Sequence, residues 1–462
     1  MVCFGLALLA AVAAPARAGE ALSLHPRNPR YLQFRGAPTV LITSGEHYGA
    51  VLNLDFDYVP YLDELADKGL NLTRTFSGVY CESARSFNIE RNPLAPAAHR
   101  YLCPWARSAT PGYANGGAKF DLTKWDEAYF ARLRDFMARA GARGIVVEYV
   151  FFCPFYEDEM WNLSPMNAAN NVNGIGAMAR TDVYTLKDAA MQAVHEAFVR
   201  KVVAALNEYD NLYYEICNEP YFGGVTLEWQ RRIADTIVAA EEGLAVRHLI
   251  AQNIANGKAK VVDPHPAVSI FNFHYARPPE AVAMNLGLNR VIADDETGFA
   301  GGADATYRRE GWDFIIAGGG IYSNLDYSFA PGCERGTAQP EAPGGGGAVL
   351  RRQLGILKDF IHGFDFPAMG PHNEIVKGGV PAKATVRVLA QPGHAYAVYV
   401  NGGSKAELAL ELPAGAYKAR WVDTKTGAAA AQEAFSHEGG VRTLVSPAYT
   451  CPLYTSPSPR DS

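Results

Sequence analysis

The sequence predicts an α/β protein, a (β/α)8 barrel followed by a small all-β sandwich. Two observations favour the barrel: short apolar runs alternate with longer amphipathic stretches, and there are eight such runs. A third observation indicates the sandwich, because short, turn-bounded, alternating strands replace this pattern after Pro381. We predict that the barrel covers residues 24–380 and the sandwich residues 383–450.

The eight apolar runs are the predicted barrel strands. Most are continuous, as expected for strands covered on both faces. They are residues 39–44, 70–76, 144–152, 212–217, 248–254, 267–274, 290–295 and 319–324. Amphipathic stretches predict a helix after the first strand and others over 125–142, 186–208, 226–244 and 348–362. This order matches the TIM barrel, whose usual size is about 250 residues before insertions.

Two long segments, residues 77–122 and 153–186, each follow a predicted strand. On a barrel they would be enlarged loops at the carboxyl face, where long loops are usually functional. Aromatic residues in them, Trp161 among them, could stack on a substrate. The alternative is that these rings pack the loops against the barrel.

The C-terminal region reads as five short strands, separated by glycine- and proline-rich turns. They are residues 385–389, 395–401, 407–412, 417–423 and 440–445. Residues 451–462 are rich in Pro and Ser and carry no apolar pattern, so we predict an unstructured or artefactual tail.

The N-terminus is typical of an exported protein. An apolar run over 4–14 precedes Ala16-Arg17-Ala18, a small-x-small cleavage pattern, so residues 1–18 are predicted to be a signal peptide. The alternative is an ordinary buried helix. We expect a secreted or periplasmic monomer without membrane contact after cleavage, since no other segment approaches 18 continuous apolar residues. Cys81 and Cys103 share a loop-rich stretch and could pair in an oxidising compartment.

The net charge of −6 gives no support for a nucleic-acid partner, which would favour a basic surface. The strongest chemical signal is Asn218-Glu219-Pro220, directly after an apolar strand. Proline prevents the strand from continuing, so Glu219 should lie at the carboxyl rim of the fourth strand, where barrel active sites are built. The seventh strand brings Glu296 to the same rim.

Glu296 has two neighbouring competitors, Asp294 and Asp295. By the two-residue period of a strand, Asp294 should share its face and Asp295 should point the other way. Glycoside hydrolysis needs two carboxyl groups on either side of one bond, one protonated and one ionised. Glu219 and Glu296 are therefore the predicted catalytic pair, and this chemistry needs neither a metal nor an organic cofactor.

These residues resemble clan A of the glycoside hydrolases, near family 5, the cellulase family. In that clan an Asn-Glu pair ending strand four carries the acid/base, and a Glu ending strand seven is the nucleophile. The resemblance thus implies a retaining double displacement on a polysaccharide or oligosaccharide. It also implies that Asn218 contacts the sugar 2-hydroxyl, that His274-Tyr275 lies below the nucleophile, and that Arg74 keeps the nucleophile ionised.

Other candidates depend on position alone. Arg74 could instead neutralise Glu215, and Glu46 and His47, which end the first strand, could bind substrate hydroxyls. The clan's strand-eight tryptophan is absent, and Asn324, Asp326 and Tyr327 stand there instead. We predict Asp326 as a substrate ligand, with Glu148 a weaker candidate.

The C-terminal region resembles a module that, in related secreted bacterial barrels, carries the name of a collagen-binding domain. The residues that carry this resemblance are the hairpin Trp421-Val422-Asp423-Thr424-Lys425-Thr426-Gly427. The alternative function is a catalytically inactive carbohydrate-binding or matrix-binding protein on the same fold. The presence of both carboxylates argues against that alternative.

Overall fold

The computed structural model describes residues 20–449. The predicted signal peptide and the predicted tail lie outside these residues. Eight parallel strands form one sheet, and each ends with its carboxyl end at the same face. Their bounds are Leu41–Gly45 (β1), Leu72–Phe76 (β2), Val146–Phe152 (β3), Leu212–Cys217 (β4), Leu249–Asn256 (β5), Val268–His274 (β6), Val291–Thr297 (β7) and Ile321–Leu325 (β8). The predicted barrel is confirmed, with each strand within two residues of its expected start and end.

The sheet is nearly closed. Strands pair in the order β1-β8-β7-β6-β5-β4-β3-β2, and no strand ladder joins β2 to β1. Asn71 bridges that gap: its backbone N–H donates to the Ile42 carbonyl at 3.2 Å, and its side-chain oxygen accepts from the Ile42 N–H at 2.8 Å. An amide side chain thus replaces part of the missing ladder.

The floor of the barrel is apolar. Side chains from every strand meet there, most of them aliphatic, including Leu41, Leu72 and Ile321, and Leu22 and Leu32 pack beneath them. The last two belong to a short antiparallel sheet of Ser23–Leu24, Leu32–Phe34 and Ala37–Thr39 that precedes the barrel. Since the floor is filled, polar chemistry is confined to the upper layers near the carboxyl ends.

Helices follow most strands, and four of them begin where a side chain caps the first turn. Asp57, Asp126, Asp188 and Thr226 each accept a hydrogen bond from a backbone N–H of the helix they precede. The helices are Tyr58–Asp67 (α1), Glu127–Ala142 (α2), Ala189–Leu206 (α3), Leu227–Ala240 (α4), Glu280–Asn285 (α5), Asp304–Ile316 (α6) and Ala348–His362 (α7). Residues 257–267, between β5 and β6, contain no helix.

The loops after β2 and β3 are enlarged, as expected, but they hold structure that the sequence did not indicate. Trp105–Pro111 and Ala118–Trp125 form a hairpin whose register shifts twice, so its side chains do not alternate cleanly. A short helix, Asp158–Leu163, lies in the β3 loop. Cys81 and Cys103 are buried free thiols, so the suggested disulfide is wrong.

After the barrel come small antiparallel sheets, as predicted. Their strands are Gly370–Pro371, Val376–Gly378, Thr385–Gln391, Ala395–Asn401, Glu407–Leu412, Gly415–Val422, Ala429–His437 and Gly440–Val445. The sequence missed Ala429–His437 because most of its side chains are exposed and it lacks an apolar face. Trp312 of α6 stacks on Tyr399 at 5.7 Å, which joins this region to the barrel. Among residues 20–449, no helix combines the length and apolarity needed to cross a bilayer.

Candidate active site

Two glutamates face each other at the carboxyl end of the barrel. Glu219 follows β4 and Glu296 lies near the end of β7. An oxygen of each carboxylate lies within 4.8 Å of the other. The backbone of Glu219 has a φ of 37°, in the left-handed region that non-glycine residues rarely occupy. Such strain is found mainly where a side chain must be held in a functional position.

A β-bulge decides which acidic residues of β7 face the barrel interior. In the ladder with β6, Phe273 pairs with Asp294 and His274 with Glu296, so Asp295 is the extra residue. Simple alternation therefore fails here. Asp295 points inward, with an oxygen 3.5 Å from the Arg74 Nε, whereas Asp294 accepts from the Ala276 backbone. The expectation that Asp294 shares the face of Glu296 is wrong.

Three donors surround the Glu296 carboxylate. The Tyr48 and Arg74 side chains donate to Oε2 at 2.8 and 3.1 Å, and the Tyr275 hydroxyl donates to Oε1 at 2.6 Å. Tyr48 and Tyr275, like Glu219, follow barrel strands with φ in the left-handed region. Glu219 itself and the two tyrosines that bond Glu296 are therefore all presented by a left-handed backbone conformation.

Glu219 also has three partners. The Tyr156 hydroxyl donates to Oε2 at 2.6 Å, the Tyr221 hydroxyl donates to Oε1 at 3.1 Å, and His274 Nδ1 lies 3.1 Å from Oε1. Burial would raise the pKa of Glu219, but the hydrogen bond and charge of His274, with the two phenols, hold it below its usual range. These three partners therefore stabilise the charged form of the Glu219 carboxyl in this arrangement.

Asn218 and His274 connect the two glutamates. The Asn218 side-chain oxygen accepts from Arg74 at 2.7 Å, and its NH₂ group donates to the Tyr156 hydroxyl at 2.8 Å. His274 Nδ1, close to Glu219, is also 3.5 Å from Glu296 Oε1. One imidazole nitrogen therefore lies between the carboxylates, where a proton on it can reach either.

Below the glutamates lies a buried acidic cluster, which we define as Glu148, Glu215 and Asp295. Arg74 is its cationic partner, with nitrogens 2.6 Å from Glu215, 3.7 Å from Glu148 and 3.5 Å from Asp295. Arg74 thus satisfies both roles considered for it, since it contacts Glu215 and Glu296 together. The Asn272 side chain donates to Glu148 at 2.9 Å and to Asp295 at 2.7 Å.

One guanidinium cannot neutralise so many carboxylates, and the cluster binds protons more tightly as a result. Burial raises the pKa of Glu215 to about 7, against the opposing effect of Arg74. Burial likewise raises the pKa of Glu148, and it raises that of Asp295 well above its usual range. Glu148 is wholly buried, which does not fit its weaker candidacy as a substrate ligand.

The structure places the remaining predicted ligands differently. Glu46 accepts from the backbone N–H groups of Gly49 and Ala50 at 2.9 and 3.0 Å, so its carboxylate organises its own loop. Burial raises the pKa of Glu46 to about 7. His47 stacks near Tyr48 and lies 3.5 Å from Glu82.

Trp161 and Asp326 have structural surroundings. Trp161 is only 4% exposed, packs on Phe155 at 4.8 Å and donates its indole N–H to the Met178 carbonyl. Asp326 is buried and ion-paired to Arg351 at 2.7 Å. Both side chains therefore hold loops together and offer no open surface to a substrate.

Three tyrosines at the site were not among the predicted site residues. Tyr48 follows the predicted Glu46-His47 pair, and Tyr221 follows Asn218-Glu219-Pro220, so proximity in sequence could have indicated both. In the sequence, Tyr156 is one of several aromatic residues in a long loop. Nothing local to Tyr156 indicates that its hydroxyl reaches Glu219, because the fold of residues 153–188 decides it.

Two groups of residues bring potential metal ligands together among the described residues. Glu219, His274 and Glu296 form one, and the buried acidic cluster forms the other, with ligand atoms within 4.8 Å in each. In the second group the Arg74 guanidinium already occupies the cationic position, and a metal ion there would be repelled by it. The absence of a metal requirement stays a prediction.

The acidic cluster should make stability depend on pH. The folded-state pKa values of Glu148, Glu215 and Asp295 exceed those of a free chain. Their stabilising contribution is therefore full below about pH 4 and is lost as pH rises through the folded pKa, about 7 for Glu215. We expect Glu148→Gln, which removes one buried ionisable group, to melt increasingly above wild type between pH 5 and pH 8.

Differential scanning fluorimetry over that pH range measures this difference. Glu242→Gln, at an exposed position, is the matched control and should follow the wild-type curve. A Glu148→Gln curve parallel to wild type at every pH would contradict the expected protonation of the cluster.

A scan of the sequence against protein-family models finds no match, and no curated protein matches it. Solved structures are similar. A glycoside hydrolase family 5 protein from Bacteroides vulgatus aligns with a TM-score of 0.59 and 14% identity, over 93% of this chain and 90% of that one. Another structure, described as a glycoside hydrolase, gives 0.57 and 15% over 93% and 94%. A family 5 mannosidase from Rhizomucor miehei gives 0.51 and 10% over 75% and 99%.

At these identities the likeness concerns the fold. The resemblance to family 5 inferred from sequence is confirmed at that level, whereas the likeness of the C-terminal region to a collagen-binding module stays a prediction. Eight parallel strands, two facing glutamates and these neighbours together establish that the chain has the barrel fold found in family 5 glycoside hydrolases.

Proposed function

We propose that this protein is a retaining glycoside hydrolase that acts on an oligosaccharide or polysaccharide, with Glu296 as nucleophile and Glu219 as acid/base. The observation that carries the proposal is the approach of the two carboxylates, which have oxygens within 4.8 Å of each other. Retaining enzymes hold the pair about 5–5.5 Å apart, whereas inverting enzymes leave about 6.5–9.5 Å for a water molecule.

The surroundings of Glu296 suit a nucleophile. Arg74, Tyr48 and Tyr275 direct their donors at its oxygens. These groups position the carboxylate below the anomeric carbon and stabilise it when the glycosyl–enzyme bond breaks again. The bond that forms joins a Glu296 oxygen to the anomeric carbon, and the bond that breaks joins that carbon to the leaving oxygen.

Glu219 supplies the proton for the leaving oxygen, and His274 lies beside it. His274 Nδ1 lies 3.1 Å from Glu219 Oε1, close enough for a proton to pass between them. Glu219 passes it to the leaving oxygen, and the Tyr156 and Tyr221 hydroxyls stabilise the carboxylate that results. In the second step Glu219 accepts a proton from water, which attacks the anomeric carbon.

Asn218 is positioned to contact the sugar. Its amide is fixed by Arg74 and Tyr156, and it lies beside the acid/base at the mouth of the barrel. A hydrogen bond to the 2-hydroxyl of the bound sugar would strengthen in the transition state.

Export of the chain, in keeping with its predicted signal peptide, belongs to the same proposal, because a polysaccharide substrate would be encountered outside the cell.

Trapping with activated 2-deoxy-2-fluoro glycosides of several sugars tests the proposal. The fluorine slows both steps and the activated leaving group restores the first, so the glycosyl–enzyme accumulates. Peptide mass mapping should find the label on Glu296. A label on Asp294 or Asp295, or none with any sugar, would refute the assignment.

The acid role of Glu219 has its own test in Glu219→Gln. For alkyl glycosides, whose leaving group needs a proton, we expect kcat/KM to fall about 10²–10⁴-fold. For 2,4-dinitrophenyl glycosides, which leave without a proton, the loss of kcat/KM should be much smaller. Equal losses for both substrates would show that Glu219 does not act as the acid.

A further inference from the structure

Four aromatic rings connect the two glutamates over one side of the barrel mouth. Tyr156 bonds Glu219 and Tyr275 bonds Glu296 through their hydroxyls. The Phe87 ring lies 5.4 Å from that of Tyr156, and the Phe299 ring lies 5.8 Å from that of Tyr275. We call Tyr156, Phe87, Phe299 and Tyr275 the aromatic arch.

The arch is closed at its centre. The Phe87 and Phe299 rings have centroids 6.5 Å apart and planes at 89°, an edge-to-face contact. No sugar ring fits between rings in that contact. Phe87 is nevertheless 39% exposed and Phe299 is 37% exposed, so each ring has a free face toward solvent or toward a ligand in the barrel mouth.

Both halves of the arch are held by the segment that follows β8. On the Phe87 side, Glu90 and Glu341 exchange backbone and side-chain hydrogen bonds at 3.0 and 3.2 Å. On the Phe299 side, the Gly301 N–H donates to the Pro343 carbonyl at 3.0 Å. The closure therefore rests on bonded loops on both sides.

The backbone that presents Phe87 is also specialised. Arg85, Phe87, Asn88 and Arg91 all have φ in the left-handed region, between 53° and 67°. Non-glycine residues adopt this conformation only at a cost, and four of them within seven residues are maintained by the surrounding bonds. The loop turns tightly enough to place an apolar ring over a polar site.

The position of the arch in the barrel tells which end of a glycan it blocks. Phe87 comes from the loop after β2 and Phe299 from the segment after β7, so their contact spans the ends of β8 and β1. Glu296 and its β1 partner Tyr48 lie on this side. Tyr221, on the other side of Glu219, bonds Asn256 at the end of β5.

In glycoside cleavage, the sugar that is attacked lies over the nucleophile, and the leaving group lies beside the acid. The Phe87–Phe299 contact, over the ends of β8 and β1, therefore stands at the end of the site where the attacked sugar lies. We propose that the aromatic arch closes the glycone end of the site, so that the protein removes single sugars from the non-reducing end of its glycan. This inference rests on the proposed function and names its mode of action.

On this proposal, Phe87 determines specificity without touching the reacting atoms. A chain extended beyond the attacked sugar would have to pass through the Phe87–Phe299 contact. Tyr221 is exposed and bonds Asn256 on the β5 side of Glu219, and on that side we place the remainder of the glycan as the leaving group. Removing the Phe87 ring should open a path for internal cleavage.

The test uses the sugar that labels Glu296 in the trapping experiment, as its 4-nitrophenyl trisaccharide. Mass spectrometry of early products separates cleavage at the non-reducing terminal bond from cleavage at the two inner bonds. We expect wild type to cut the terminal bond at least about 20-fold faster, and Phe87→Ala to lower that ratio by about 10-fold or more. Leu244→Ala, which removes an exposed apolar side chain between α4 and β5 at the amino end of the barrel, should keep the wild-type ratio.

Two results of this experiment would contradict the end-selective action. Inner-bond cleavage by wild type at the rate of terminal cleavage would overturn the proposal, as would a Phe87→Ala ratio equal to wild type. Continued labelling of Glu296 in Phe87→Ala shows that the variant is folded. Failure of every sugar to label wild type is a failure of the proposed function itself, and the end-selective action falls with it.

Discussion

Replacing Glu296 with alanine should reduce kcat/KM by a factor on the order of 10⁴ or more, the largest effect on activity expected of any change in the chain. Without the carboxylate, no glycosyl–enzyme can form, and Arg74, Tyr48 and Tyr275 lose their common acceptor. Activity is measured on an aryl glycoside of the sugar identified by trapping.

Chemical rescue separates a lost nucleophile from a damaged fold. Azide is small enough to enter the space left by the side chain and attack the anomeric carbon directly. We expect it to restore turnover of Glu296→Ala and to yield a glycosyl azide of inverted configuration. Rescue absent at all azide concentrations, in a variant that melts like wild type, would count against Glu296 as the nucleophile.

Asp294→Asn is the matched control for this experiment. Burial raises the pKa of Asp294 well above its usual range, which favours the uncharged side chain, and asparagine preserves its shape. Its oxygen can still accept from the Ala276 N–H. Activity within a few-fold of wild type would show that the loss belongs to the carboxylate of Glu296 and not to the acidic strand in general.

Replacing Arg74 with methionine should produce the largest loss of stability. The side chain is buried and is the cation nearest to Glu215, Glu148, Asp295 and Glu296. Removing one partner of a buried charge pair typically costs about 3–5 kcal/mol, because the remaining charge is left unpaired. We expect the free energy of unfolding in urea to fall by about that amount at pH 8.

The loss should be smaller at pH 5, since the raised pKa values of the cluster allow its carboxyls to take up protons there. Arg139→Met, at an exposed ion pair on α2, is the control and should leave the unfolding midpoint unchanged. An Arg74→Met loss that is the same at both pH values would mean that the protonation of the cluster does not change between pH 5 and pH 8, against the raised pKa values.

How much of the site could be predicted is shown best by β4 and β7. The position of Glu219 can be predicted from Asn218 and Pro220, because a proline directly after an apolar strand marks the end of that strand in the sequence. Which acidic side chains of β7 face the barrel interior cannot be predicted in this way. A strand alternates only if its ladder is regular, and the bulge opposite His274 turns Asp295 inward through a contact with β6 that no local pattern encodes.

The same distinction explains Trp161, Asp326 and the ionisation of Glu219. The local sequence around a loop aromatic is the same whether its ring is open to solvent or, like that of Trp161, packs on Phe155. Likewise, the local sequence around an acidic residue at a strand end does not show whether it contacts a substrate or, like Asp326, an arginine such as Arg351. The pKa of Glu219 depends on Tyr156, Tyr221 and His274, which come from three separate loops and strands. Each outcome depends on at least one residue that is distant in the chain: Met178 for Trp161, Arg351 for Asp326, and Tyr156 and His274 for Glu219.

By itself, the sequence determined the barrel, its eight strands and the two facing glutamates, because hydrophobic periodicity and a strand-ending proline act through neighbouring residues. Only the tertiary structure decided the inward turn of Asp295, the sharing of Arg74 among four carboxylates and the meeting of Phe87 with Phe299. These features arise where loops and strands far apart in sequence come within a few ångströms. Hydrogen bonds, charge pairs and ring contacts act only at that range, so they form only once the chain has folded and cannot be predicted from the local sequence.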